Sequence, residues 1–162
     1  GIVISDTPGP TGGILIQTGD SEYEIGLDVV DERLAACQTN LAEAQTLNAW
    51  FRPEFVDLRR GDALALPIES GSIDVAAQNC LFNIFREDDL QQALAEMYRV
   101  LKPRGRLILS DPVCDQAMPP ALQDDARLRA LCLSGAIPLQ HYLKRLCDCG
   151  FGTVEVRAIA PV

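Results

Sequence analysis

The side chains with the widest chemical range in this sequence are its six cysteines, because the chain has one histidine, His141. A single histidine nearly excludes histidine-based metal sites and histidine-dependent nucleophilic triads. The cysteine spacing gives no pair of CxxC motifs, only the CxC of Cys147 and Cys149, so no zinc site is predicted. A chain that is 48% apolar needs no disulfide framework. We therefore interpret the cysteines as free thiols, either buried or reactive.

Two acidic positions have the setting of a nucleotide site. Asp28 ends a predicted strand and precedes a predicted helix, where a carboxylate can accept hydrogen bonds from ribose hydroxyls. Gly61, Asp62 and Ala63 form a turn in which the carboxylate can accept from an adenine amino group, while the small alanine leaves room for the ring. Taken singly, each feature is equally well explained as an ordinary strand end or turn.

Short β-branched runs alternate with amphipathic helical stretches, which predicts parallel strands joined by crossover helices. The predicted strands cover residues 23–28, 54–58, 73–77, 106–110 and 153–157. The predicted helices are one capped by Asp31 and ending near residue 47, one capped by Asp88 or Asp89, and two near residues 126–133 and 139–147.

Helical spacing also selects residues for the core. The stripe of the helix after Asp89 is predicted to be buried, and it consists of Leu90, Leu94, Met97, Tyr98 and Leu101. Cys37 lies on the apolar side of the preceding helix, and we expect it to pack there, as free cysteines often do. We expect packing roles for Cys147 and Cys149, and for Trp50 and Phe51 against the sheet.

The totals describe one domain over residues 1–162, with enough apolar residues for a core. The net charge of −9 argues against nucleic acid as a partner, because phosphate-binding surfaces need clustered lysines and arginines. No apolar run approaches the ~20 residues of a membrane span and no basic-then-apolar leader opens the chain, so we expect a cytoplasmic protein without a membrane partner.

Ligands of open α/β sheets bind beyond the carboxyl ends of the strands. That rule predicts one site edge, made of Asp28, Asp62, Ala63, Asn79, Cys80 and Asp111.

The order of these pieces resembles the class I S-adenosylmethionine (SAM)-dependent methyltransferases. The resemblance rests on the strand acid Asp28, the turn 61–63, residues 72–75 (SIDV) and the helix end 98–107 (YRVLKPRGRL). It implies a Rossmann-like α/β sandwich with a mostly parallel sheet and helices on both faces. It also implies that SAM is the cofactor, with Asp28 on the ribose, Asp62 and Ala63 on the adenine, and Asn79 near the methionine end.

The family's glycine-rich loop, D-x-G-x-G-x-G, is altered here. Residues 2–13 (IVISDTPGPTGG) carry an acid and three glycines, but with different spacing and two prolines. Gly9 is the candidate in this segment for contact with the cofactor. The N-terminal part is therefore either shortened and degenerate, or the chain lacks segments of the native protein.

Two further segments resemble the arsenite methyltransferases of arsenosugar biosynthesis. Residues 78–85 (QNCLFNIF) are similar to their SNCVxNL segment, and residues 127–136 (RLRALCLSGA) to their CLxGA segment. The resemblance implies that Cys80 and Cys132 bind trivalent arsenic, the substrate, as arsenite or a methylated arsenical, with a thiol reductant as partner. Cys114, after a strand end at the same edge, is the candidate for a third thiol.

The chemistry agrees with this implication, because trivalent arsenic prefers thiolates and keeps a lone pair that can attack a methyl group without a general base. Two alternatives stay open. One is a SAM methyltransferase for a carbon, oxygen or nitrogen acceptor, and the other is a non-catalytic arsenic-binding protein that has lost its cofactor loop.

Overall fold

A five-stranded sheet forms the centre of the molecule, seen in a computed structural model that describes residues 14–17, 24–157 and 159. Its strands in chain order are β1 (Ile14–Gln17), β2 (Glu24–Asp28), β3 (Val56–Arg60), β4 (Ile73–Asn79) and β5 (Leu101–Ser110). In space the order is β3-β2-β1-β4-β5. A second, two-stranded sheet pairs β6 (Val113–Cys114) in parallel with β7 (Ile137–Pro138).

The sheet consists of two parallel pairs joined by a strand of opposite direction. Strand β2 is parallel to β3, and β4 is parallel to β5, as the alternating pattern predicts. Strand β1 lies between the pairs and is antiparallel to both neighbours, with Ile14 opposite Leu27 of β2 and Gln78 of β4. The prediction of parallel strands is therefore confirmed for the two flanking pairs, whereas the middle strand β1 is antiparallel.

The parallel pairs need crossover connections, and helices supply them. The helices are α1 (Asp31–Leu47), α2 (Glu87–Val100), α3 (Pro120–Gln123), α4 (Ala126–Ala130) and α5 (Leu139–Asp148). The predicted caps are displaced, since α1 begins at Asp31 after Val30, and α2 begins at Glu87 after Arg86. Among the helices within the described ranges, none combines the length and apolarity that a bilayer crossing would require.

The core lies between α2, β4 and α5. On α2 the buried residues recur with helical spacing, namely Leu90, Ala93, Leu94, Met97 and Val100. They pack with Ile73 and Ala76 of β4 and with Tyr142 and Leu146 of α5. Tyr98 was expected in this stripe but is 48% exposed, because it lies one residue beyond the buried face, where its ring meets Phe151 edge to face at 5.2 Å.

Other packing expectations fail at residues whose side chains are exposed. Helix α1 has no buried residue, and Cys37 on it is exposed, so the predicted packing role of this thiol is wrong. Of the aromatic pair after α1, Phe51 is buried but Trp50 is exposed. Residues 153–157 alternate like a strand, yet in the described structure they pair with no other strand and remain extended chain.

Two elements differ from the predicted bounds in ways that shape the site. The chain at Pro53–Phe55 makes a short 3-10 turn, so β3 begins two residues later than predicted. Helix α4 ends at Ala130 rather than near residue 133. The Asp125 carboxylate caps α4 by accepting from the backbone N–H groups of Arg127 (2.8 Å) and Leu128 (3.0 Å), and the early end releases Cys132 from the helix.

Candidate active site

A cleft at the carboxyl ends of β2 and β3 brings together the predicted nucleotide-binding residues. Its empty volume, including the open solvent at its mouth, is about 360 Å³. The walls are Leu27, Asp28, Val29, Gly61, Asp62, Ala63, Leu81, Ile84 and Phe85. Backbone pairing holds the two acidic pieces in place, since the N–H of Gly61 donates to the carbonyl of Asp28 at 3.0 Å.

Asp28 is oriented by its own chain. Its Oδ1 accepts from the backbone N–H of Val30 at 2.8 Å, which fixes the carboxylate at the start of α1. Its Oδ2 lies 3.8 Å from a guanidinium nitrogen of Arg33, and the side chain is 13% exposed. A carboxylate held this way keeps acceptor capacity for hydroxyl groups entering the cleft.

Asp62 supplies a carboxylate to the cleft wall, and Ala63 next to it supplies a small apolar surface. Asp62 Oδ1 accepts from the backbone N–H of Leu64 at 2.9 Å, and its carbonyl accepts from Ala65 at 3.0 Å. Ala63 is buried and adds only a methyl group to the wall. Two carboxylates beside apolar walls fit an adenosine, whose hydroxyl and amino groups donate and whose ring is apolar on its faces.

The two other predicted cofactor residues lie elsewhere. Asn79 ends β4, where it pairs with Ser110, and it does not line the cleft. Gly9 lies outside the described residues.

Cys80 and Cys132 come together although they are distant in sequence. Cys80 directly follows β4, and its N–H donates to the carbonyl of Ser110 at 2.8 Å. The Cys132 thiol donates to the carbonyl oxygen of Cys80 at 3.0 Å. Cys132 is buried and Cys80 half-buried. Leu81, which follows Cys80, lines the cleft, so Cys80 and the cleft wall share one segment of chain.

Both thiols have left-handed backbone, with φ of 57° at Cys80 and 60° at Cys132. Among the described non-glycine residues only Arg104, with φ of 71° in the turn within β5, shares this feature. Such a conformation costs about 1–3 kcal/mol in a residue with a Cβ and persists only where surrounding contacts enforce it. Strain of this kind concentrates at functional sites.

Both thiols are protonated at neutral pH. Burial is the first cause that raises the pKa of Cys80, and the charge of Asp111 adds to it, while the hydrogen bond from Cys132 opposes. Burial, followed by the neighbouring Cys80 and by Asp111, raises the pKa of Cys132 to about 11. A soft ion that binds both sulfurs must therefore displace two protons.

Asp111, the residue after β5, completes this corner of the site. Tyr142 of α5 donates its hydroxyl to Oδ2 at 2.6 Å, and the Gln78 side-chain amide donates to the same oxygen. The other end of the Gln78 side chain accepts from the N–H of Leu81 at 2.8 Å, which fixes the turn that carries Cys80. Burial raises the pKa of Asp111, against these hydrogen bonds.

A buried asparagine joins the two cysteine segments. The Asn83 amide donates to the carbonyl of Pro112 at 2.8 Å and to that of Cys132 at 3.2 Å. Gly135 permits this approach, since a Cβ there would lie 1.7 Å from the Asn83 carbonyl oxygen. The spacing between the thiols therefore depends on a glycine three residues after Cys132.

The remaining cysteines do not join the pair. Cys114 lies in β6, where its thiol donates to the carbonyl of Ala136 at 3.4 Å. Within the described part of the chain no three His, Cys, Asp or Glu side chains are placed to hold one metal ion, so the proposed three-thiol set with Cys114 is not assembled. Cys149 accepts from Gln91, and Cys147 is exposed, as is His141.

Residues 9–109 match the family described as Methyltransferase domain, which is well over half of the chain. The chain belongs to the methyltransferase domain family. The arsenite methyltransferase of Halobacterium salinarum is 29% identical over 140 residues, 86% of this chain and 34% of that protein. The arsenite methyltransferase of Aquipseudomonas alcaligenes is 34% identical over 134 residues, 78% of this chain and 37% of that protein.

Other members of this methyltransferase family have different names and acceptors. The demethylmenaquinone methyltransferase of Lactococcus lactis is 30% identical over 105 residues, 65% of this chain and 34% of that protein. The chain spans about a third of the length of the curated relatives it matches. Family membership therefore identifies the domain and leaves its acceptor to be argued from the site.

The fold comparison agrees with the family. The crystal structure of an arsenic(III) S-adenosylmethionine methyltransferase from Chlamydomonas reinhardtii superposes with a TM-score of 0.67 at 24% identity, covering 80% of this chain and 43% of that one. At this identity the likeness concerns the fold, and it confirms the predicted Rossmann-like methyltransferase class.

Sequence reasoning found the two acids and the two thiols but missed their supports. Gln78, Asn83 and Tyr142 hold the site through contacts between residues 29 to 49 positions apart in the sequence. The Q-x-C-x-x-N pattern around Cys80 is the local signal that could have indicated two of these supports, Gln78 and Asn83. Polar amide side chains are unusual among apolar neighbours at a strand end.

Proposed function

We propose that this chain is the core of an enzyme that transfers a methyl group from SAM to trivalent arsenic bound by Cys80 and Cys132. The observation that carries the proposal is the contact between Cys132 and Cys80, the residue before Leu81 of a cleft whose polar groups fit an adenosine. A methyltransferase site for a different acceptor has no need of two strained, contacting cysteines at this position.

The thiol pair is suited to a soft, trivalent ion. Two sulfurs bind arsenic and leave its lone pair free, and thiolates are the protein ligands that soft ions prefer. Because Cys132 is buried, the bound ion is shielded on that side from water. The lone pair is itself the nucleophile, so the site needs no histidine as a general base, and His141 is exposed on α5.

The cleft residues suit the adenosyl half of the cofactor. Asp28 would accept from the ribose hydroxyls, and Asp62 with Ala63 would hold the adenine edge. When bound, SAM supplies an electrophilic methyl group. Asn79 stays a prediction as a contact to the methionine end, and Gly9 stays a prediction as a contact to the cofactor. The residues of this chain would hold the two reactants at about 3–3.5 Å in the attack direction, which is where most of the catalytic gain arises.

The direct test is transfer of labelled methyl groups from SAM to arsenite, in the presence of a thiol reductant, with Cys80→Ser and Cys132→Ser as variants. We expect wild-type transfer and a loss of at least about 100-fold in each variant, because one sulfur cannot hold the ion in position. Cys147→Ser, at an exposed position, is the matched control and should transfer like wild type.

The same variants separate the alternatives. Absence of methylated arsenic with wild-type protein would refute the proposal. Transfer to a carbon, oxygen or nitrogen acceptor that survives both serine substitutions would favour a different methyltransferase. Calorimetric binding of arsenite without binding of SAM would favour an arsenic-binding protein that has lost its cofactor.

A further inference from the structure

Arg129 of α4 lies between the two halves of the candidate site. Its backbone carbonyl accepts from the N–H of Cys132 at 2.9 Å, so the residue is part of the turn that carries this thiol. Its guanidinium Nη1 donates to the carbonyl of Phe85 at 3.1 Å and to that of Ile84 at 3.4 Å. Both of these residues line the proposed adenosine cleft. One residue therefore contacts the thiol segment and the cleft wall at the same time.

The Arg129 side chain connects these stretches of chain through backbone carbonyls. Besides the two cleft carbonyls, it binds that of Gln123 at the end of α3, to which its Nη2 donates. A guanidinium presents its N–H donors in a fixed, planar fork, so it sets the positions of the three carbonyls relative to one another. Hydrogen bonds from a charged donor are also stronger than those between neutral groups. Arg129 therefore determines how α3 and α4 lie against the cleft wall.

Apolar packing contributes little to the placement of α3 and α4. Neither helix has a buried residue, and Leu122 on α3 and Leu131 after α4 are 42% and 59% exposed. The ion pair of Arg86 with Asp124, at 3.1 Å, adds little because both side chains are mostly exposed. A region with few buried apolar contacts opens at a lower free-energy cost than the core does. The contacts of Arg129 therefore matter more here than similar contacts would in the core.

We propose that Arg129 couples the two binding events, so that an adenosyl ligand in the cleft and an arsenical on the thiols strengthen each other's binding. This coupling rests on the proposed function for the identity of both ligands. An arsenic atom bound by Cys80 and Cys132 fixes the end of α4. Through the Arg129 side chain it also fixes Ile84 and Phe85 in the cleft wall. The entropy lost in ordering this region falls on the first ligand, so the second ligand binds with a smaller loss.

Chain continuity is a second route between the two halves of the site. Cys80 is followed directly by Leu81, a cleft residue, so a ligand on Cys80 also acts on the cleft wall through the backbone. That route does not pass through α4, and a substitution of Arg129 leaves it in place. Coupling is a free energy that has the same value whichever ligand binds first. The part of it that disappears with the Arg129 side chain therefore measures the route proposed here.

The test is calorimetric binding of S-adenosylhomocysteine to wild-type protein and to Arg129→Met, each with and without saturating phenylarsine oxide. The arsenical occupies the thiol pair by forming two S–As bonds, and its oxygen leaves with the two thiol protons as water. S-adenosylhomocysteine has no methyl group to transfer, so only binding is measured. We expect the arsenical to raise the wild-type affinity for S-adenosylhomocysteine by about 5-fold or more, and that of Arg129→Met by less than about 2-fold.

Arg127→Met is the matched control, because Arg127 lies on the same helix two residues earlier and is exposed. Its ratio of affinities with and without the arsenical should equal that of wild type. The ratio also separates positioning from a general loss of stability. In a partly unfolded protein, each ligand that binds only the folded state improves the apparent binding of the other, so lost stability would raise the ratio rather than lower it.

A wild-type ratio in Arg129→Met, or an equal loss in Arg127→Met, would overturn the role of Arg129. If wild-type protein binds both ligands without coupling and still methylates arsenite, that role is wrong and the proposed function stands. If the coupling depends on Arg129 but no methyl group is transferred, the role stands and the proposed function fails. If wild-type protein does not bind the arsenical at all, both fail.

Discussion

Gly135→Ala is the substitution that most directly separates the two thiols. The added Cβ would lie 1.7 Å from the carbonyl oxygen of Asn83 and 2.5 Å from its carbonyl carbon. Both atoms are backbone, so no side-chain rotation relieves the overlap. The segment carrying Cys132 must move away from the segment that follows Cys80.

The size of the effect follows from that distance. Ordinary contacts are about 3.5 Å, so the two segments must separate by more than about 1 Å. Overpacking of this kind costs about 1–3 kcal/mol of stability. The movement also lengthens the hydrogen bond from Asn83 to the carbonyl of Cys132, now 3.2 Å. A misplacement of about 1 Å between reacting groups can reduce function by about 100-fold.

We therefore expect Gly135→Ala to weaken binding of phenylarsine oxide by about 10- to 100-fold, measured by calorimetry, while the protein remains folded. Unfolding in urea should show a midpoint lowered in proportion to the overpacking. The matched control is Gly152→Ala, because a Cβ at Gly152 meets no atom within 4 Å. Its affinity and stability should equal those of wild type.

Two results would refute the reasoning. Wild-type affinity in folded Gly135→Ala would mean that the spacing between Cys80 and Cys132 does not depend on the contact with Asn83. An equal loss in Gly152→Ala would mean that glycine substitution acts on the chain in general rather than through the overlap.

Three further predictions concern the core, an ion pair and the cleft. Leu94→Ala, at a fully buried position, should lower the free energy of unfolding in urea by about 2–5 kcal/mol. Leu47→Ala, at an 82% exposed position, should change it by less than about 0.5 kcal/mol. Similar losses in both variants would contradict the assigned core. Hydrogen bonds from Arg99 hold the pKa of Glu96 below its usual 4.5, so wild type should exceed Glu96→Gln in stability above that pH. The difference should vanish as the pH falls through the lowered pKa, and a gap that persists in acid would exclude this linkage. Asp28→Asn should weaken binding of S-adenosylhomocysteine by about 10-fold or more in calorimetry, because a hydrogen bond to a charged acceptor is lost; unchanged affinity would mean that the ribose binds elsewhere.

Elements with a strong period were predictable because a local pattern determines them. The apolar residues of α2 recur every three or four positions, so its buried face could be read without knowing what packs against it. Tyr98 shows the limit of this reasoning, since a residue one step beyond the stripe differs in burial but not in type. Cys37 shows another, because the periodicity of α1 cannot reveal that its thiol stays exposed.

In the candidate site, too, the residues set by local sequence were predictable and those set by distant contacts were not. Asp28 and Asp62 are set by strand ends and turns, which are local, and the structure brings both into one cleft. The direction of β1 depends on pairing with β2 and β4 together, and no pattern within its own four residues determines it. The support of the thiols by Asn83 depends on a contact across 49 positions, which sequence periodicity does not report.

The left-handed backbone at Cys80 and Cys132 means that stability and arsenic binding favour different residue types at these two positions. Glycine populates such φ values freely, so Cys80→Gly and Cys132→Gly would relieve strain and act in the direction of greater stability, against the loss of packing. A library screened only for stability should therefore drift toward glycine or asparagine at these two positions. A library screened for arsenic binding should retain cysteine there. The difference between the two libraries would measure how much stability the fold gives up to keep cysteine at these two positions.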